Sequence, residues 1–279
     1  MSPEAIVEIR TLLEAVVTLA DQAFSRAAPK RTDADVALRT AVLGLFGWGI
    51  CEGYCVVEAL KSKTPQGVAP IVRSLLEALI TALYLADTAV SSAERSARLD
   101  RYFRGVRREQ VRLRSALDDY PTLKAVFLPD TGLADREREE YRQREEASSP
   151  EHRLGRAHWS GVPDGLKGMA EDVGLGSDYA VQYRIHSGST HGNRPWDQAR
   201  FDPDGLLIIP SLATNASMGI PLGFDTARYL AWLLIIGFDC GAIPLEAAEV
   251  EQLNQYRKYA QSMEALHEQG IVGPSGTVS

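Results

Sequence analysis

Cysteine and histidine are scarce in this 279-residue chain, with three of the first and five of the second. Three cysteines, an odd number, build no disulfide framework and point to a reducing compartment, so a cytoplasmic location is expected. Cys51 and Cys55 lie one helical turn apart. That is not the Cys-x-x-Cys spacing of a redox pair or zinc knuckle, and it predicts buried small hydrophobes. His152, His158, His186 and His191 fall close together, yet the chain has neither His-Glu-x-x-His nor Glu-x-x-His, so no metal and no cofactor is expected. The glycine-containing stretches 44–53, 161–176 and 188–192 lack both nucleotide-loop signatures. Excess positive charge is also missing. Thirty Lys and Arg against 37 Asp and Glu leave a net charge of −7, which excludes a generally basic nucleic-acid coat while leaving room for a local basic groove. Long uninterrupted apolar runs are absent as well. The run 71–85 carries Arg73 and Glu77, and the run 229–238 is short and bounded by Arg228 and Asp239. Both predict buried core helices, and no membrane partner is expected. The opening MSPEAIVEIR is acidic and amphipathic rather than basic then apolar, so no secretory leader is expected there.

What is present is an ordinary globular composition, 45% hydrophobic and 24% charged, in a chain long enough to bury a core without staples. The pattern is helical nearly throughout. Ser2-Pro3-Glu4 is a start signal, and Ile6, Ile9, Leu13, Val16, Ala20 and Phe24 then repeat at helical spacing until Pro29. A second helix is predicted from Thr32 or Asp33 to about Leu60. Gly44, Gly47, Gly49 and Gly53 fit there if a neighbouring backbone packs close or the helix bends. Pro70 opens a third helix to about Ala86. Ser91 and Glu94 form a capping box for a fourth, to Asp119. A charged helix is predicted over 133–146. Ser177 is read as the cap of a helix ending near Gly192, Asp225 as the cap of one running to about Cys240, and Pro244 as the start of the last. The only strand signal is a hairpin near 199–210, turning at Asp202-Pro203-Asp204-Gly205. The expectation is an all-α, multi-helix bundle with that one hairpin. It forms a single helical domain over 1–270, with 130–160 as a charged flap or insertion and 271–279 as a disordered tail.

Chemistry concentrates in 179–196, YAVQYRIHSGSTHGNRPW. In a helix, Arg184, Ser187 and His191 fall at i, i+3 and i+7, which puts Arg184 and His191 within roughly 20° of each other. A guanidinium steadies charge on phosphate oxygens, and an imidazole moves protons near neutral pH. The structural alternative has His191 closing a helix C-terminus beside Gly192 while Arg184 pairs with a buried acid. Tyr183 and His186 flank the pair, and Trp196 would stack on a base. Arg73 and Glu77 form a costly pair on the most apolar helix, either a structural clamp or a support for Arg184 or His191. Arg101, Arg104, Arg108 and Arg112 make a basic stripe, joined by Arg107 and Arg114, that would track a phosphate backbone. Alternatively the stripe pairs within the chain, since 135–146 holds six acids against four arginines.

The run Val72-Arg73-Ser74-Leu75-Leu76-Glu77-Ala78, followed by Trp159-Ser160-Gly161 and by Tyr179…Tyr183-Arg184…Ser187…His191-Gly192, resembles a bacterial family catalogued as domain of unknown function 5677. That resemblance implies an all-helical fold and no settled activity. The six residues between Arg184 and His191 are also similar to the upper limit of the Arg-x(4–6)-His motif of HEPN domains. Those are helical bundles of bacterial toxin and abortive-infection systems, many of them metal-independent ribonucleases acting as dimers. The likeness implies that Arg184 stabilises phosphate charge, that His191 transfers protons, and that the protein is a homodimer acting on RNA. The chain departs from the motif at Ile185, where a polar residue is usual, so His186 or Ser187 would supply that group. Many HEPN domains are inactive binding modules. The expectation is therefore a HEPN-like endoribonuclease or defence effector, with a non-catalytic helical module for a small ligand or partner protein as the rival.

Overall fold

Apolar side chains at helical spacing form helices that bury their stripes against one another. The computed structural model describes residues 3–27, 35–62, 68–117, 120, 139, 143, 158–180, 200–201, 207–208 and 212–268. Among these residues are α1 (Pro3–Arg26), α2 (Val36–Lys61), α3 (Val68–Ala86), α4 (Ser92–Ala116), α5 (Leu166–Asp172), the single turn α6 (Gly176–Asp178), α7 (Leu212–Asp239) and α8 (Ala247–Glu268). The predicted hairpin is present as β1 (Arg200–Phe201) and β2 (Leu207–Ile208). They pair antiparallel with Arg200 opposite Ile208 and Phe201 opposite Leu207. The fold is all-α, as the sequence pattern predicts. Of the predicted charged helix over 133–146, only Glu139 and Gln143 fall within the described residues, and the tail 271–279 lies outside them.

The chain divides into two compact units, Met1–Asp87 with Ala170–Ser279, and Thr88–Met169. In the first, α7 is the hub and packs against α1, α2, α3 and α8. Tyr229, Leu230, Leu233 and Leu234 of α7 are fully buried, as are Leu13 and Val16 of α1, Phe46 and Val56 of α2, and Leu75, Leu76, Leu79 and Ile80 of α3. Each fully buried side chain of this kind contributes about 1.5–3 kcal/mol. Helices α2 and α3 are long and apolar enough to cross a membrane by length and composition, and here both are packed against α7.

The glycines of α2 do not break it, since it runs unbroken from Val36 to Lys61, and it is side chains rather than backbones that approach Gly47, Gly49 and Gly53. A Cβ on Gly53 would stand 2.8 Å from Val17 Cγ2 and 3.2 Å from Leu230 Cδ2, and one on Gly49 would stand 3.2 Å from Leu233 Cδ1. Gly44, by contrast, has nothing within 4 Å of its missing Cβ. Gly44, Trp48, Cys51 and Cys55 share the outward face of this helix, with Trp48 56% exposed. The expectation of buried cysteines is therefore corrected: Cys51 and Cys55 are exposed. Helix α2 is apolar on most sides but packs only part of its circumference, so composition overstates burial.

Three predicted caps also change. Ser177 lies inside α6, whose N-cap position is Leu175. Asp225 is a buried mid-helix residue of α7 rather than its cap. Helix α8 starts at Ala247 instead of Pro244, because the Glu249 carboxylate accepts the Glu246 N–H at 2.8 Å and closes the first turn there. In the second unit, the Glu94 N–H donates to Ser91 Oγ at 3.2 Å, so the predicted cap of α4 is in place, and the helix ends at Ala116.

The two environments on α2 predict opposite responses to one added methyl. Gly44→Ala should raise stability by about 1 kcal/mol through helix propensity alone. Gly53→Ala should lower it by about 1–2 kcal/mol, because Val17 is β-branched and buried and cannot turn aside cheaply. Urea unfolding of the two variants reads the difference, and equal shifts would contradict the packing described for Gly53.

Candidate functional site

Tyr183, Arg184, His186, Ser187, His191 and Trp196 lie outside the described residues. The described structure shows where their segment begins. Asp178 closes α6, and its carboxylate enters a buried ionic cluster on α7. Arg228 Nη2 donates to Asp178 Oδ1 at 2.5 Å and to Asp225 Oδ1 at 3.2 Å. The same nitrogen reaches Tyr229 Oη at 3.2 Å, and that hydroxyl donates to Asp178 Oδ1 at 3.4 Å. The guanidinium also lies over the Tyr229 ring, 4.8 Å from its centroid. Asp225 is 3% and Arg228 7% exposed. A lone guanidinium would be expelled from this core, and two carboxylates and a phenol make its burial tolerable. The cluster ties the doorstep of 179–196 to the hub helix.

The Arg73–Glu77 pair forms, with Arg73 Nε donating to Glu77 Oε1 at 3.0 Å. It is not sealed, because the side chains are 22% and 39% exposed. The costly burial expected for it is corrected to a partly solvated i,i+4 contact worth a few tenths of a kcal/mol. No contact to Arg184 or His191 can be assigned, since those two residues lie outside the described ones.

The stripe on α4 is partly paired within its own helix. Glu94 accepts from Arg101 at 2.8 Å and from Arg98 at 3.4 Å, and the two cations hold its carboxyl below the usual range. Arg108 Nε donates to Glu109 at 3.3 Å. Arg104 and Arg107 are exposed, and the side chain of Arg112 lies outside the described residues.

A second cluster sits where α4 meets the turn 158–165. Ser160, 2% exposed, donates its backbone N–H to His158 Nδ1 at 3.3 Å, and its hydroxyl lies 2.9 Å from the same nitrogen. The Val162 N–H donates to Ser160 Oγ at 3.1 Å. An Nδ1 that accepts a backbone N–H carries no proton, so the neutral ring holds its hydrogen on Nε2. Burial, and then the charge of Arg108, push His158 below its ordinary pKa. Gly161, Asp164 and Gly165 take positive φ in this turn. A Cβ on Gly105 would lie 2.6 Å from Trp159 Cβ, so only glycine there lets the indole rest on α4. Among the described residues, no group of three His, Cys, Asp or Glu side chains converges as a metal site would require.

Sequence reasoning missed both clusters. Arg228 and Asp225, a turn apart beside an apolar run, were the available signal for the first. Asp178 had none, being fifty residues away.

An all-helical protein with, among the described residues, an ionic cluster in its core and an aromatic turn packed on an arginine-bearing helix is the class these features define. A model of the family of unknown function DUF5677 matches residues 55–199, just over half of the chain, and the protein belongs to that family. The match takes in the end of α2, all of α3 and α4, the turn 158–165, α5, α6 and the positions of Arg184 and His191. No curated protein and no solved structure matches the chain.

Arg228→Met should cost about 3–5 kcal/mol by stranding two carboxylates, whereas Asp178→Asn, which keeps an acceptor, should cost about 1–2 kcal/mol. Thermal unfolding separates the two, and a Met variant as stable as the parent would show that the cluster is dispensable. For His158, the depressed pKa means that the unfolded chain binds the proton first. Its contribution is therefore whole above about pH 6.5 and declines as pH falls below that value. An NMR titration of its ring should give a midpoint below 6.5, and His158→Gln should flatten the loss of stability on the acid side.

Proposed function

We propose that this protein is a HEPN-like, metal-independent endoribonuclease of the defence or toxin type. The observation that carries the reading is the spacing of Arg184 and His191, a cation and a titratable imidazole seven residues apart in the most polar-aromatic stretch of the sequence, a separation that a helix would bring to one face. In the reaction, an RNA 2′-hydroxyl attacks the adjacent phosphorus. A new P–O2′ bond forms as the P–O5′ bond breaks, one proton leaves the 2′-oxygen and one reaches the departing 5′-oxygen. His191 serves as general base or acid, and Arg184 holds the charge that builds on the phosphoryl oxygens. Tyr183, His186 and Ser187 shape the site, and Trp196 stacks on a base. Two described features support this. Asp178, one residue before the segment, is anchored to α7, and α4 offers exposed arginines.

A rival reading, a non-catalytic binding module, is favoured by one observation. Several arginines of α4 already pair with Glu94 and Glu109, which lowers the positive field available to RNA.

The deciding experiment is cleavage of an unstructured RNA by the full chain with chelator present. His191→Ala and Arg184→Ala should each reduce the rate by about 100-fold or more with unchanged melting temperature. Equal cleavage by parent and His191→Ala, or none by either, would end the catalytic reading.

A further inference from the structure

The unit Thr88–Met169 differs in charge from the rest of the protein. It holds 16 lysines and arginines against 14 acids, whereas the remainder holds 14 against 23. The acidic character of the chain is thus carried elsewhere, and this unit is the part an anionic polymer would approach.

Within it, four rings stand in a row. Phe103 and Tyr102 have centroids 5.4 Å apart, Tyr102 and Trp159 5.2 Å, and Trp159 and His158 5.4 Å. All four are half-buried rather than sealed, so part of each remains open to solvent. The row is built deliberately: Gly105 makes room for the indole, and Ser160 fixes the imidazole. Arg101, Arg104 and Arg108 line one face of α4 at i, i+3 and i+7, and a Cβ on Gly161 would lie 3.9 Å from Arg101 Cδ. Glu94 absorbs charge at the N-terminal end of this face, which leaves Arg104 and Arg107, both exposed, toward the middle. Half-exposed rings in a unit that also carries exposed guanidinium groups supply what a single nucleic-acid strand needs: stacking for bases and cations for phosphates.

We propose that this aromatic row and the exposed arginines of α4 form a docking surface for single-stranded RNA. Tyr102, Trp159 and His158 contact bases or sugars, and Arg104 and Arg107 contact phosphates. The His158 ring takes part as an Nε2–H donor, because its other nitrogen is occupied by Ser160. The choice of RNA as ligand rests on the ribonuclease reading. The surface does not depend on His191 and is tested apart from it.

The test uses the full-length His191→Ala protein, so that cleavage does not obscure binding, and a fluorescein-labelled oligouridylate of about 20 nucleotides followed by anisotropy. Arg104→Glu/Arg107→Glu, a surface change that should leave the melting temperature intact, is expected to weaken binding about tenfold or more and to reduce the slope of log affinity against log salt. His158→Gln and Tyr102→Leu should each weaken binding severalfold, with the fold checked by circular dichroism. Unchanged affinity in the double-arginine variant would overturn the surface, even if wild type cleaves RNA and His191→Ala does not. Failure of the parent to bind the oligonucleotide would overturn it too. Binding that is lost in these variants, together with a wild type that cleaves nothing, would uphold the surface and sink only the nuclease.

Discussion

The constraint that organises the larger unit is one guanidinium held inside a hydrophobic core. Arg228 sits on α7, the helix every other long helix of that unit packs against, and next to Tyr229, one of the most enclosed side chains in the protein. A charge there must be answered from within reach. Asp225 answers it from one turn away, and Asp178 from another element altogether. The first contact is local and would form in an isolated helix. The second couples α6 to α7 and exists only in the folded chain. Hydrophobic replacements of buried ion pairs are often as stable as the originals, so stability alone does not explain such a cluster. Its other effect is geometric: a hydrogen-bonded charge has few acceptable positions, whereas a leucine has many. The end of α6 is fixed by that limit.

The smaller unit follows a different logic. Its helix α4 is strongly polar, and among the described residues of this unit only Leu99 and Met169 are buried apolar side chains. Rings do the work that aliphatic side chains do around α7. Trp159 rests on the bare backbone at Gly105 and against Tyr102, and the tight turn that follows is pinned by Ser160. A layer of half-buried rings and guanidinium groups is less shielded from solvent than an aliphatic core.

Much of this fold can be read from the amino-acid order. Helices α1 to α4 and α8 announce themselves by apolar residues at helical spacing, and the Asp-Pro-Asp-Gly turn announces the hairpin. Cap signals located α4 well and misled at Ser177, which lies inside the single turn α6, and at Asp225, because an aspartate near an apolar run is as compatible with a buried ion pair as with a cap. Cys51 and Cys55 misled for a related reason: an apolar helix does not say how much of its surface its neighbours cover. Of the site, residue types alone singled out Arg184 and His191. The Asp178–Arg228 contact spans fifty residues and follows no periodicity, so nothing local encodes it. The His158–Ser160 bond is short-range but depends on the positive-φ turn that follows.

The two histidine-bearing regions are suited to different tasks. A histidine that is to move a proton must be able to exist in both charge states near neutral pH. His158 is poorly placed for that. Its Nδ1 accepts from Ser160, so a proton there would face a donor, and burial together with Arg108 disfavours the cation further. What remains is a neutral ring with one fixed N–H, a group that binds and does not shuttle. Under the ribonuclease reading this divides the labour along the chain. The aromatic turn against α4 holds the strand, and proton transfer falls to His191 in the segment whose entry Arg228 fixes.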